Sequence, residues 1–156
     1  MMFNAVRLNR PEVADWLRSH ELSFMAFCVA RRVHSRAQIL QDLWVCYELG
    51  EKRAGFFVEF GSTNGLTNSN TWLLEKRFGW RGILAEPNPI WHVALAENRL
   101  AHIEHLCVSS KSDEIVTFLT PDSVDPELSA IASFADGDHF ADIRRSGGAL
   151  EIRRFR

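Results

Sequence analysis

Residues 55–65, GFFVEFGSTNG, and residues 79–89, GWRGILAEPNP, decide how this chain is read. Each contains a short run of strand-forming apolar residues that breaks into a loop of small or polar ones. The first run ends at Gly61, and the second, Ile83-Leu84-Ala85, ends at Glu86-Pro87. Between them SNTWLLEKRF (69–78) carries helix signals, with Ser69 or Asn70 placed to cap and Gly79 to terminate. The pattern continues with a helix over about 89–99, Pro89 suiting its first turn, a third strand at 105–109 and a fourth at 115–119. Strands alternating with helices predict the α/β class, with a parallel sheet covered by helices on both faces.

In such a sheet, ligands bind outside the carboxyl ends of the strands, and both unusual residue clusters fall there. Gly61 and Gly65 let the first loop turn sharply and approach a ligand closely. Glu86, twenty-five residues beyond Gly61, stands at the next strand end, where a carboxylate can accept both hydroxyl hydrogens of a ribose. A nucleoside is therefore the implied ligand. The dinucleotide fingerprint GxGxxG lacks its middle glycine here, where Thr63 stands instead. Glu59, just upstream, is unwelcome beside phosphate and useful beside a cation, so the loop fits the sulfonium and ammonium of S-adenosylmethionine better than NAD. The competing readings are a strand-to-helix turn with no ligand for the glycine loop, and a helix-capping acid for Glu86.

Upstream, Pro11 opens a helical reading in which Val13, Trp16 and Leu17 share one face, while LSFMAFCVA (22–30) is apolar on all sides and predicts burial. A second helix is predicted from Ser35, where Ser35 and Gln38 stand in capping-box relation, with Ile39, Leu40, Leu43, Trp44 and Tyr47 as its apolar stripe and Gly50 as its stop. These helices are read as an N-terminal extension over 1–50, followed by a Rossmann-like domain over 51–156. With 156 residues, 46% hydrophobic and 24% charged, the chain fits one globular domain and excludes collagen, coiled coil and disordered tail. A net charge of -2 does not recommend a nucleic acid as partner. No apolar run approaches the roughly 18–20 residues that span a bilayer, and no secretory signal opens the chain, so no membrane association and a cytoplasmic location are expected. Cys28, Cys46 and Cys107 form no CxxC pair and read as buried, reduced thiols.

Taken together, these segments resemble the FkbM-type methyltransferases, a family with a class I, Rossmann-like fold that uses S-adenosylmethionine. The resemblance runs from about Ser35 to Arg144 and rests on Gln41-Asp42-Leu43-Trp44-Val45, GFFVEFGSTNG, SNTWLLEK (69–76), GWRGILAEPNP, Asn98-Arg99, Leu128-Ser129-Ala130-Ile131 and Asp138-His139. It implies that Glu59, Gly61, Ser62, Asn64 and Gly65 surround the methionine part of the cofactor. Glu86 would hold the ribose, and Val108 and Ser109 would lie near the adenine. The family often has an acid where this chain has Asn64. It also continues with a Thr/Ser-Leu-x-x-Leu stretch and an Ile-Asp-x-Glu-Gly type motif, neither of which is present, so the expectation is the first half of a methyltransferase sheet.

The function implied is O-methylation of a small-molecule or sugar hydroxyl. The alternatives are a catalytically inactive cofactor-binding fragment, an NAD-binding Rossmann protein and an interaction module. No catalytic base is assigned: His139 beside Asp138 reads as a solvated loop residue. His102 and His105 have no third metal ligand, and no metal is expected. Gln41 and Asp42 either close over the cofactor or form the polar face of their helix. The tryptophans Trp16, Trp44, Trp72, Trp80 and Trp91 are assigned to packing. The final ALEIRRFR reads as the beginning of a strand, and an uncovered sheet edge predicts self-association.

Overall fold

A computed structural model describes residues 20–108, 115–120 and 129–132, together with the backbone of 148–153. The expectations for Pro11, Val13, Trp16, Leu17, Ser109, Leu128, Asp138, His139 and Arg144 lie outside these residues.

The glycine-bounded runs form strands. β1 (Phe56–Phe60) and β2 (Arg81–Ala85) pair in parallel over five residues, from Phe56 with Arg81 to Phe60 with Ala85. β3 (His102–Glu104) adds to β2 in parallel, giving the order β1-β2-β3. The crossovers are helical. α3 (Trp72–Phe78) joins β1 to β2, and a 3-10 turn (Pro89–Trp91) leading into α4 (His92–Asn98) joins β2 to β3. Ahead of the sheet lie α1 (His20–Arg31), a 3-10 turn (Arg32–His34) and α2 (Gln41–Glu48). Gly79 ends α3 at φ +67°, as expected of a left-handed stop. The Asn88 side chain accepts from Ile90 N–H (3.2 Å) ahead of Pro89.

Phe57 and Leu84 point to the same face of the sheet and enter one core with Cys28 of α1, Leu43 and Cys46 of α2, Leu73, Leu74 and Phe78 of α3, and Leu95 of α4. Leu84 and Leu95 are fully buried, each stabilising the fold by roughly 1.5–3 kcal/mol. All four described helices thus share the Phe57/Leu84 face. Among the described residues no helix covers the opposite face, where Phe56, Val58 and Phe60 are 65, 51 and 63% exposed, so the expected helices on both faces are seen on one. The three cysteines are buried, and none forms a disulfide. No described helix is long and apolar enough to cross a membrane.

Five sequence expectations are displaced. The third strand starts three residues before 105. α4 ends at Asn98, and the Glu75 carboxylate takes the N–H groups of Leu100 (3.0 Å) and Ala101 (3.3 Å), so His102 is already aligned with Ile83. The apolar segment after it turns away instead, and Cys107 joins a second core with Val116 and Phe118. The predicted fourth strand exists as β4 (Ile115–Thr120), but in a separate antiparallel sheet, β5-β4-β6, between β5 (Ala130–Ile131) and β6 (Gly148–Arg153). The ALEIR segment is therefore a paired strand, in register with β4 over six residues.

The helix expected from Ser35 begins only at Gln41. Ser35 Oγ donates to Asp42 Oδ1 (2.6 Å), not to a partner at Gln38, and Arg36 N–H donates to Asp42 Oδ2 (3.2 Å). Ala37 bridges in parallel to Asn68, and a turn over 38–39 and a left-handed Leu40 (φ 65°) then lead into α2. Ile39 and Trp44 are consequently 78% and 55% exposed, and Asp42, Leu43 and Cys46 are the buried side of α2. On α1, only Leu22 and Cys28 are buried, whereas Met25 and Val29 face outward, so LSFMAFCVA is one-sided rather than enclosed.

Candidate functional site

A cavity of about 440 Å³ opens at the carboxyl ends of β1 and β2. Gly61, Thr63 and Glu86 form one wall, Trp91 and Val108 another, and Phe118 and Ile131 of the second sheet close it with an apolar side. Its volume is within the ordinary range for small-molecule sites.

Glu86 is 4% exposed and joins the two loops. Its Oε2 accepts from Thr63 N–H (2.7 Å) and its Oε1 from Asn88 N–H (2.9 Å). An ionised carboxylate has about four acceptor sites, so two bonds leave room for two more. Burial raises the Glu86 carboxyl above its ordinary value, a push that the N–H groups of Asn88 and Thr63 and the nearby His92 only partly offset. His92 in turn bonds the Glu86 carbonyl (2.9 Å) and stacks on His105 at 3.7 Å with the rings 7° from parallel. Burial and the charge of His92 lower the His105 imidazole, and Glu104 raises it.

Gly61 takes φ +65° and lines the cavity, and a Cβ added there meets no atom within 4 Å. Thr63 is held at φ +46°, unusual for a β-branched residue, and this conformation goes with its N–H donation to Glu86. Ser62 is 2% exposed, and its Oγ has no hydrogen-bond partner among the described residues. A buried hydroxyl without a partner costs about 1–3 kcal/mol.

The remaining expected ligands support the loop from behind. Asn64 Oδ1 accepts from Leu66 N–H (2.9 Å) and Thr67 N–H (2.8 Å), an Asx turn, and Asn98 Nδ2 donates to the Asn64 carbonyl (2.9 Å). Gly65, at φ +72°, has no room for a side chain, because a Cβ would lie 2.6 Å from both Arg99 Cγ and Leu95 Cδ1. Glu59 is buried and accepts from Asn70 N–H (2.7 Å), Ser69 Oγ (3.2 Å) and Thr71 Oγ1, with Arg99 Nη1 at 3.7 Å. The cation beside Glu59 is therefore the protein's own.

Arg99 is the center of that support. Its fully buried side chain donates to Glu75 Oε2 (3.1 Å), the Gly65 carbonyl (3.2 Å), Ser69 Oγ (3.1 Å) and Thr71 Oγ1 (2.8 Å). Burial pushes the Glu75 carboxyl up, but Leu100 N–H, Lys76 and Arg99 more than offset this and hold it below its ordinary value. Asp42 is spent on Ser35 and Arg36, and Gln41 accepts from Ile39 N–H, so both serve the start of α2.

Of the eight residues expected at the site, Gly61, Glu86 and Val108 line the cavity, Ser62 is buried in the same loop, and Glu59, Asn64 and Gly65 hold the loop in place. Thr63, Trp91, Phe118 and Ile131 are cavity residues that sequence reasoning did not single out, and Trp91 is a correction to its assignment to packing alone. Asn98 and Arg99 were visible in the sequence only as an unexplained pair. Comparison of the chain with protein-family profiles, curated proteins and solved structures found no match.

Proposed function

We propose that the chain binds S-adenosylmethionine in this cavity and serves methyl transfer to a hydroxyl of a small molecule or sugar. The observation that carries the reading is the meeting of an open-sided Gly61 and a buried, ligand-capable Glu86 on one cavity at two adjacent strand ends. The apolar side formed by Val108, Phe118 and Ile131 suits the aromatic part of such a ligand. Glu86 would accept the ribose hydroxyls, and the Gly61–Thr63 backbone would face the amino-acid portion. When bound, the group supplies an activated methyl. The protein's contribution is chiefly to position the acceptor in line with it and exclude water.

The same geometry disfavours the NAD reading. A pyrophosphate needs free N–H groups at a helix N-terminus. Here the N–H of Asn70 is taken by Glu59, and those of Thr71 (3.3 Å) and Trp72 (3.1 Å) by Ser69 Oγ. A buried carboxylate thus already occupies that end of α3. Thermal unfolding tests the reading: S-adenosylhomocysteine at 100 times its dissociation constant should stabilise the fold by about 2.7 kcal/mol. NAD should leave the transition unmoved. Stabilisation by NAD alone would reverse the assignment.

Gly61→Ala separates the cavity from the fold. The new methyl meets no protein atom, so stability should fall by only about 1–2 kcal/mol for the left-handed backbone. S-adenosylhomocysteine affinity, measured by equilibrium dialysis, should fall at least about tenfold because the methyl enters ligand space. Unchanged affinity would move the ligand away from this loop.

The exposed Phe56, Val58 and Phe60 on β1, whose outer edge has no described strand partner, favour self-association. Sedimentation velocity at micromolar concentration should show a species larger than 17.8 kDa, shifted toward monomer by Val58→Lys. A wild-type monomer would contradict it.

A further inference from the structure

Among α1, α2, α3 and the connection that enters β1 at its amino end lies a second cavity of about 480 Å³. Its rim is charged and its floor, Leu43, Leu73 and Phe78, is apolar. Three arginines line it from three separate elements: Arg31 from the end of α1, Arg53 from the connection into β1, and Arg77 from the last turn of α3. His34 joins them, and Glu51 is the only acid in the lining.

Glu51 is hydrogen-bonded by Arg31 through a two-pronged pair at 2.8 and 3.2 Å, which holds its carboxyl below the ordinary value with smaller help from the charges of Arg77 and Arg53. Arg53 donates only a long bond to the Arg77 carbonyl (3.4 Å) and lies over the Phe78 ring at 5.9 Å. Among the described residues, neither the Arg77 guanidinium nor the His34 imidazole makes a hydrogen bond or ion pair. The excess of charge is therefore two positive units, three arginines against one carboxylate, before His34 is considered. Arginines at helix ends commonly answer the negative pole of the helix. That accounts for Arg31 and Arg77 singly, but not for their convergence with Arg53 on one hollow.

The connection that delivers Glu51 and Arg53 is strained. Glu51 and Ala54 both adopt φ +54°, within five residues that begin with Gly50 at φ +58°. Non-glycine residues in this region cost roughly 1–2 kcal/mol each, and such strain persists where the surroundings require the geometry.

We propose that this second cavity is a binding site for a phosphate monoester, the dianionic group taken by Arg53, Arg77 and His34 and its organic part resting on Leu43, Leu73 and Phe78. Guanidinium forks match phosphate oxygens in both geometry and charge, and a dianion balances the two-unit excess. A monocarboxylate leaves one positive charge unanswered. The site lies apart from the methyl-donor cavity, so its test does not depend on that assignment.

The experiment is calorimetric titration of the full chain with inorganic phosphate at constant ionic strength, with acetate as the control anion. Saturable phosphate binding is expected, with acetate at least about tenfold weaker. In Arg53→Gln/Arg77→Gln, two exposed positions, phosphate affinity should fall at least about tenfold while S-adenosylhomocysteine binding stays as in the wild type. Glu51→Gln should act in the opposite direction and raise phosphate affinity severalfold, by removing the competing carboxylate and freeing Arg31. If the double variant fails to fold, Glu51→Gln decides. Absence of saturable binding, equal affinity for acetate, or a Glu51→Gln variant that binds phosphate no better than the wild type would overturn the proposal.

Discussion

Arg99→Met should lower the stability of the fold by about 3–5 kcal/mol, the largest effect expected from any single substitution outside the apolar core. Methionine approximates the length of the stem but removes every donor. Glu59 and Glu75, both with side chains only 6% exposed, then lose the cation between them. The Gly65 carbonyl and the Ser69 and Thr71 hydroxyls lose the bonds that Arg99 donates to them at the same stroke. Unlike a surface ion pair, this group has no water to replace the lost partner. Arg99→Lys keeps the charge without the fork, and should recover only part of the loss. Because the same bonds fix residues 65–71, affinity for the proposed methyl donor should fall with stability in both variants. Urea unfolding followed by tryptophan fluorescence reads the change, and a loss below about 1 kcal/mol in Arg99→Met would mean that the loop is held by other means.

Glu86→Ala should reduce S-adenosylhomocysteine affinity on the order of 100-fold or more, since hydrogen bonds to a charged group contribute about 1.5–3 kcal/mol each and two are proposed. Its effect on stability is smaller and has two opposed parts. Thr63 and Asn88 lose the acceptor of their N–H groups, while a buried charge disappears. The pH dependence follows from the raised Glu86 carboxyl. Ribose hydroxyls need the ionised form as acceptor, so affinity falls as pH drops through the Glu86 pKa in the fold, beginning above the pH at which an ordinary glutamate would respond. The stability of the ligand-free chain runs the other way. A carboxyl whose pKa is raised on folding contributes most below its unfolded pKa, and that contribution is lost as pH rises through the folded one. Opposite slopes for binding and stability, measured on one protein, are a signature that a general acid-induced unfolding would not produce.

The parallel core was legible because its signals are local. GFFVEF and RGILA are compact strand-forming runs, each closed by a glycine or proline, and their helices are bounded by Gly79 and Pro89. What escaped depends on partners distant in sequence. HIE at 102–104 alternates polar and apolar residues and is short, so the apolar HLCVS beside it looked like the better strand until Glu75 fixed Leu100 and Ala101. Ser35 found Asp42 instead of Gln38, a choice set by the bridge from Ala37 to Asn68. Within β1 Glu59 is inside beside Phe57 while Phe56, Val58 and Phe60 are outside, and the buried carboxylate is made tolerable by Asn70 N–H, the Ser69 and Thr71 hydroxyls and Arg99, all distant from it in sequence. Gly61 and Glu86 could be picked out because strand ends and turn chemistry are written locally. The apolar wall from Phe118 and Ile131 could not, since nothing near them in sequence announces that a second sheet faces the first loop.

The most direct test is calorimetric titration of the 156-residue chain with S-adenosylhomocysteine, wild type beside Glu86→Ala, with circular dichroism confirming that both are folded. The account predicts one saturable site in the wild type and a loss of affinity on the order of 100-fold in the variant. Equal binding by both proteins, or no heat from a folded wild type, would contradict the placement of a methyl donor at the carboxyl ends of β1 and β2.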